Sequence, residues 1–180
     1  MARLKGQLLI SDGGLYDPNF RHTVVLMGQH DALGAVGVIL NRPLGMTVEE
    51  AVPPLADLVE TGAPLFEGGP VAPDEPVLLV ETVRPDLLDV PIFGSVGFLT
   101  GDIPAELRSG ILRARVFAGH AGWGADQLES ELEEEAWILD EPRADDVFSA
   151  APDRLWATLL KRKGPEYARM ARIPFDPSMN

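Results

Sequence analysis

Thr23-Val24-Val25-Leu26-Met27 and, seven residues further on, Ala35-Val36-Gly37-Val38-Ile39-Leu40 are the two runs that decide the fold. Both are rich in β-branched residues and neither alternates with polar ones, so each reads as a strand buried on both faces. Only residues 28–34 separate them, which suits a hairpin with a medium loop. Upstream, Gln7-Leu8-Leu9-Ile10-Ser11 is a short apolar run bounded by Gly6 and by Asp12-Gly13-Gly14, the pattern of another strand. Downstream, strands are expected at 65–67, 77–82, 95–99, 113–118 and 136–139. Segments 71–76 and 85–94 carry prolines and read as loops within the domain.

Helices are fewer and start at legible caps. Thr47-Val48-Glu49-Glu50 has capping-box spacing, and Pro53-Pro54 limits that helix to about two turns. Asp102, Pro104 and Glu106 open a second, ended near Gly110. Asp126-Gln127-Leu128-Glu129 opens a third, with Leu128 and Leu132 on one face. Pro152-Asp153 opens a fourth, whose Leu155, Trp156, Leu159 and Leu160 form one apolar stripe before Gly164-Pro165 stops it. The segment 173–180 reads as irregular. Strands do not alternate regularly with long helices, so the pattern predicts a single mixed α+β domain over 1–180 rather than a doubly wound parallel sheet.

Composition agrees with a globular domain that folds without staples. Of 180 residues, 46% are hydrophobic and 24% charged, and 18 Gly with 16 Pro point to many turns. The absence of cysteine removes disulfides, thiolate metal sites and cysteine nucleophiles. The N-terminal apolar run is shorter than the roughly 7–15 residues of a signal-peptide core. Nothing approaches the ~18 apolar residues of a membrane span. The expected setting is therefore the cytoplasm. The net charge of −13 opposes the phosphate contacts on which nucleic-acid affinity depends, so direct nucleic-acid binding is not expected. Acids dominate 126–153 and bases 154–172. This reads as a solvated acidic helix face beside a basic helix, the two pairing with each other, or as a docking surface.

No catalytic, metal or cofactor motif is present. His22, His30 and His120 lack metal-ligand spacing. His22 and His30 would lie ~26 Å apart along an extended strand of ~3.3 Å per residue, so each histidine reads as structural or superficial. Gly94-Ser95-Val96-Gly97 does not make a nucleophile elbow, and the acids of 129–135 fan around a helix instead of forming a dyad. Two loops stand out. Asn41-Arg42-Pro43 leaves a buried strand with an amide and a planar cation. Gly119-His120-Ala121-Gly122-Trp123-Gly124 leaves another, with glycine freedom beside an imidazole and an indole. Such loops either contact a ligand or only shape a turn in which Trp123 plugs the core. With Gly68-Gly69-Pro70, they are expected to converge on one concave surface walled by Arg42 and Trp123.

These same segments carry a family likeness. The stretches Leu4-Lys5-Gly6-Gln7-Leu8-Leu9-Ile10-Ser11, Asp17-Pro18-Asn19-Phe20 with the strand after it, and Asn41-Arg42-Pro43-Leu44 resemble the N-terminal half of the AlgH/YqgE family of bacterial proteins. Phe66-Glu67-Gly68-Gly69-Pro70-Val71 is similar to its central GGPV motif. Ala118-Gly119-His120-Ala121-Gly122-Trp123-Gly124 with Gln127-Leu128-Glu129 and Trp137 is similar to its GYAGWG segment, with His120 where the family usually has tyrosine. The resemblance implies an α+β fold with a mixed, mostly antiparallel, partly rolled sheet and a bacterial cytoplasmic setting. It implies no reaction, although some members carry a label as transcriptional regulators of alginate synthesis. The first functional expectation is a non-enzymatic binding or regulatory protein acting on a protein or small-molecule partner. Its ligand- or partner-binding residues are Asn41, Arg42, Gly68, Gly69, Pro70, His120 and Trp123. The alternatives are a small-molecule enzyme built near Arg42, His120 and Trp123, and a transcriptional regulator.

Overall fold

The two apolar runs form the hairpin around which the sheet is laid. The structure, a computed structural model, describes residues 3–13 and 20–174. In chain order it contains β1 (Leu8–Ser11), β2 (Val24–Asp31), β3 (Gly34–Ile39), β4 (Pro43–Thr47), α1 (Val48–Ala51), β5 (Pro64–Glu67), β6 (Val71–Thr82), β7 (Val90–Phe93) and β8 (Val96–Leu99). There follow α2 (Ala105–Arg108), β9 (Ile111–Gly124), α3 (Gln127–Glu133), β10 (Trp137–Asp140), α4 (Ala144–Val147), α5 (Leu155–Lys163) and α6 (Pro165–Ala168). Short 3₁₀ turns lie at Pro53–Leu58, Pro85–Leu87, Pro152–Arg154 and Met170–Arg172.

The ten strands make one unclosed sheet in the order β10-β1-β2-β3-β9-β6-β8-β7, with the β4–β5 hairpin attached where β5 runs parallel to β9. The other pairings are antiparallel. β9 serves as the spine, because its 14 residues pair with β6 along most of their length and with β3 at Gly34–Gly124 through Gly37–Ala121. This is a single α+β domain with a mostly antiparallel sheet, as the sequence and the resemblance imply.

Side-chain alternation explains why the central runs lack polar residues. Leu8, Ile10, Val24, Leu26, Val38 and Leu40 point into one cluster, together with Trp156, Leu159 and Leu160 of α5. Leu9, Val25, Met27 and Ile39 point to the other face, where they meet Trp123, Leu128 and Trp137 under α3. Each face is covered by a helix, so both sets of alternate residues are buried, except that Val36, near the turn into β3, is 40% exposed where the sequence predicts burial on both faces. A third cluster lies beneath α1, α2 and the first 3₁₀ turn, around Val48, Leu78, Val80 and Leu107.

Several expectations need correcting. The medium loop at 28–34 is a tight turn: β2 continues to Asp31 through an irregularity between Met27 and Gln29, and the Asp31 carboxylate accepts from the Leu33 amide at 2.8 Å. The proline-bearing segment 71–76 belongs to β6, and 85–94 contains β7. Neither breaks a central ladder, because β7 is the edge of the sheet and β6 shifts register between Val71 and Pro76. β4 starts with Pro43 and pairs with β5 alone. The Thr47 hydroxyl accepts from the Glu50 amide at 3.2 Å as expected, but Asp102 caps nothing: α2 follows Pro104 directly. Ile173 and Pro174 are irregular, and 175–180 lie outside the described residues, as do residues 17–19 of the quoted N-terminal motif.

The acidic stretch is not uniformly a solvated face. The Glu131 carboxylate accepts from the indoles of both Trp123 and Trp137, at 3.3 and 3.0 Å. His30, 4% exposed, accepts from the Leu4 amide through Nδ1 at 3.0 Å, which leaves Nε2–H to donate to Glu129 at 3.3 Å. Asp146, 7% exposed, takes both ends of the Arg162 guanidinium at 2.9 and 2.8 Å, so the acidic and basic stretches do pair, at that one buried point among the described ion pairs. Glu133, Glu134 and Glu135 are exposed.

Candidate functional site

The two glycine motifs prove to be each other's packing partners. A Cβ on Gly68 would fall 2.1 Å from the Gly119 carbonyl oxygen, and one on Gly69 2.2 Å from the His120 carbonyl. The Gly68 amide donates to Ala118 O and its carbonyl accepts from the Ile39 amide, both at 2.9 Å. Gly68, Gly69, Gly119 and His120 are thus brought together, but backbone against backbone. Glycine is required there for close approach of two chain segments. Pro70 is exposed beside them and His120 is half-buried opposite Val71.

Trp123 is 5% exposed and belongs to the core. Phe20 stacks on it at 5.8 Å, Trp137 meets it edge-on at 6.0 Å, and Glu131 takes its N–H. The loop at 119–124 is in fact the end of β9, and its indole is packed mainly into the core.

Asn41 and Arg42 lie elsewhere. They leave β3 on the face covered by α5, whereas Trp123 lies in the cluster under α3, on the opposite face of the sheet. The structure therefore does not bring Arg42, His120 and Trp123 into one site. What it brings to Asn41 and Arg42 is the chain just before β2. The Asn41 side chain accepts from the Val24 amide at 2.9 Å and donates to the His22 carbonyl at 2.8 Å, and Arg42 donates to the Arg21 carbonyl at 3.0 Å. His22, held at a φ of +52°, stacks on Trp156 of α5 with ring centroids 3.8 Å apart and planes 8° from parallel. The Trp156 indole in turn donates to the Ser11 carbonyl of β1 at 2.9 Å.

Arg21, His22, Asn41, Arg42, Asp153 and Trp156 line a cleft of about 410 Å³. Sequence reasoning missed Arg21, His22 and Trp156 as members of it. A signal existed: Val25 pairs with Ile39, and continuing that register three residues sets His22 across from Arg42. That register depends on both the tight turn at 31–34 and the irregularity between Met27 and Gln29, and neither is marked in the local sequence pattern.

Burial, and then the charge of Arg21, lower the His22 pKa below its ordinary value of 6.5. The unfolded chain thus binds a proton more readily than the folded one. The stability this group contributes is complete above pH 6.5 and is lost as pH falls toward its folded-state value. Urea midpoints measured from pH 8 to 5 are expected to fall more steeply for the parent than for His22→Gln. Parallel pH profiles would show that the ring is not held neutral.

No group of three or more His, Asp or Glu among the described residues is placed to hold a metal ion. No helix among them is long and apolar enough to cross a membrane.

With this geometry in place, comparison with known proteins locates the chain. A family model described as AlgH-like matches residues 8–168. A UPF0301 protein of Streptomyces avermitilis is 40% identical over 189 residues, covering 100% of this chain and 97% of its own length. One from Chlorobaculum tepidum is 36% identical, covering 97% and 95%. Among solved structures, a Corynebacterium diphtheriae protein superimposes with a TM-score of 0.85 at 22% identity, over 95% of this chain and 94% of that one. The solution structure of the AlgH protein from Pseudomonas aeruginosa does so at 0.70 and 24%, with the same coverage. These two likenesses speak for the fold, and the family model with the 36–40% identical relatives speaks for descent. The chain belongs to the AlgH-like family.

Proposed function

We propose that this protein is a non-enzymatic binding protein of the cytoplasm that recognises an acidic group, on a small molecule or a partner protein, in the cleft at Arg21, Arg42 and Trp156. One observation carries the reading: two guanidinium groups, against the single carboxylate of Asp153 among the described lining residues, share one opening with a stacked imidazole–indole pair on a chain with 28 acidic and 15 basic residues. A local cluster of positive charge on an acidic protein concentrates anions at that point. A guanidinium reads a carboxylate or phosphate through charge-assisted hydrogen bonds, and the flat ring pair offers an apolar wall beside it. Asn41 and Arg42 are held by carbonyls of the chain entering β2, and Trp156 of α5 by that of Ser11 in β1, a placement that lets a rigid scaffold present recognition elements. Any regulatory role then runs through the bound partner, since a net charge of −13 opposes promoter contact.

Native mass spectrometry of protein purified from its own cells tests this. The parent is expected to retain an acidic adduct or partner. Two variants are expected to lose it: Arg42→Gln, and Ala157→Glu, which places a negative charge in the cleft without touching Arg42. Circular dichroism confirms that both are folded. A parent that carries nothing, or an adduct shared by all three proteins, overturns the reading.

A further inference from the structure

A second cleft, of about 420 Å³, opens between the chain after the first 3₁₀ turn and β9. Leu58, Val59, Phe66, Leu112 and Phe148 line it, with Arg115 among them. Two arginines stand two residues apart on β9 and are treated differently. Arg113 is neutralised by carboxylates: it donates to Glu81 at 2.9 and 3.2 Å and to Asp145 at 3.0 Å. Arg115 has no carboxylate partner among the described residues. It donates to the carbonyls of Val147, at 3.4 Å, and Ser149, and lies 4.6 Å over the Phe66 ring. Burial, and then the charge of Arg113, lower its pKa to about 10. The fold therefore keeps a cation without a carboxylate partner in a cleft where Leu58, Phe66, Leu112 and Phe148 stand beside Glu60 and Arg113. A tether for the 147–149 backbone uses two of the five guanidinium N–H donors and leaves unexplained the open cleft, with its apolar side chains, beside the rest.

We propose that this cleft binds a small monocarboxylate with an apolar body. The carboxylate meets the Arg115 guanidinium, and an aryl or branched alkyl body lies among Leu58, Phe66, Leu112 and Phe148. The volume is that of a small-ligand site, whose usual range is ~300–1,000 Å³. One negative charge is favoured over two, because Arg115 is the single cation of the cleft that no carboxylate balances, and Glu60 stands on the cleft wall. A phosphate or dicarboxylate would bring a second charge with nothing to balance it. This site is independent of the Arg42 cleft.

The test is an amide-shift titration of ¹⁵N-labelled protein near neutral pH with phenylacetate, beside its neutral isostere phenylacetamide. Phenylacetate is expected to give saturable shifts at Phe66, Ala114, Arg115 and Phe148 below about 20 mM, with the amide at least about tenfold weaker, as loss of a charge-assisted hydrogen bond requires. Arg115→Gln should abolish these shifts. Leu112→Glu, at a position 60% exposed and so harmless to folding, should weaken binding by about tenfold or more through charge repulsion. The proposal is overturned by absence of saturation, by equal binding of acid and amide, by indifference to Leu112→Glu, or by shifts centred on Trp156 instead.

Discussion

Replacing Trp156 by Ala is expected to lower the unfolding free energy by about 3–5 kcal/mol, the range for deleting a buried aromatic side chain. Three separate contacts end with that side chain. Its ring is 4% exposed within the cluster that joins α5 to β1, β2 and β3. Its N–H satisfies the carbonyl of Ser11, a fully buried residue, and its face supports the His22 ring at 3.8 Å. Truncation leaves a cavity, strands a buried acceptor and frees the chain entering β2. Trp156→Phe separates these effects. It keeps most of the ring and loses the hydrogen bond, so it should cost about 1–3 kcal/mol, the penalty of an unsatisfied buried group. Urea unfolding of the three proteins measures both steps. Equal midpoints for Trp156→Ala and the parent would remove α5 from the core and with it the wall of the proposed binding cleft.

Gly69→Ala is expected to be comparably severe, on the order of 3–5 kcal/mol, from overpacking added to an unfavourable backbone conformation. Gly69 has a φ of +153°, and an added Cβ would sit 2.2 Å from the His120 carbonyl and 2.4 Å from the Ala121 amide nitrogen. Those neighbours are backbone atoms of β9, the spine of the sheet, so they do not yield as a flexible side chain would. Gly62 supplies the control. It too has a positive φ, +79°, but nothing lies within 4 Å of where an alanine methyl would sit, so Gly62→Ala should cost only the left-handed penalty of about 1–2 kcal/mol. Thermal unfolding of both variants checks the difference. Similar melting temperatures would mean that the GGP segment serves only its own turn and does not clamp against 119–121.

What the sequence determined by itself is the local and periodic part of the protein. The runs at 23–27 and 35–40 could only be strands with apolar side chains toward both faces, since no polar residue alternates along them, and all but Val36 are covered. The stripe Leu155, Trp156, Leu159 and Leu160 could only be the buried side of a helix, and all four are buried. Thr47 announced its cap. The ordered motifs from Leu4 to Trp137 pointed to the family. The edge strands β4 and β7 escaped, because they contain the prolines and exposed residues that an unpaired edge tolerates and an interior strand does not, whereas the edge strand β10 was legible at 136–139. The site was half legible. Asn41 and Arg42 drew notice by leaving a buried strand, but Trp123 drew notice for the same reason and is a core residue. Nothing within a few residues of either distinguishes them. The distinction comes from which helix covers each face, and from contacts such as that of Trp156 with Ser11, 145 positions away. Pattern along a chain reports whether a residue is buried. Only the stacking of α5 and α3 on opposite faces decides which side chains share a cleft, because that depends on pairings between segments that no local sequence records.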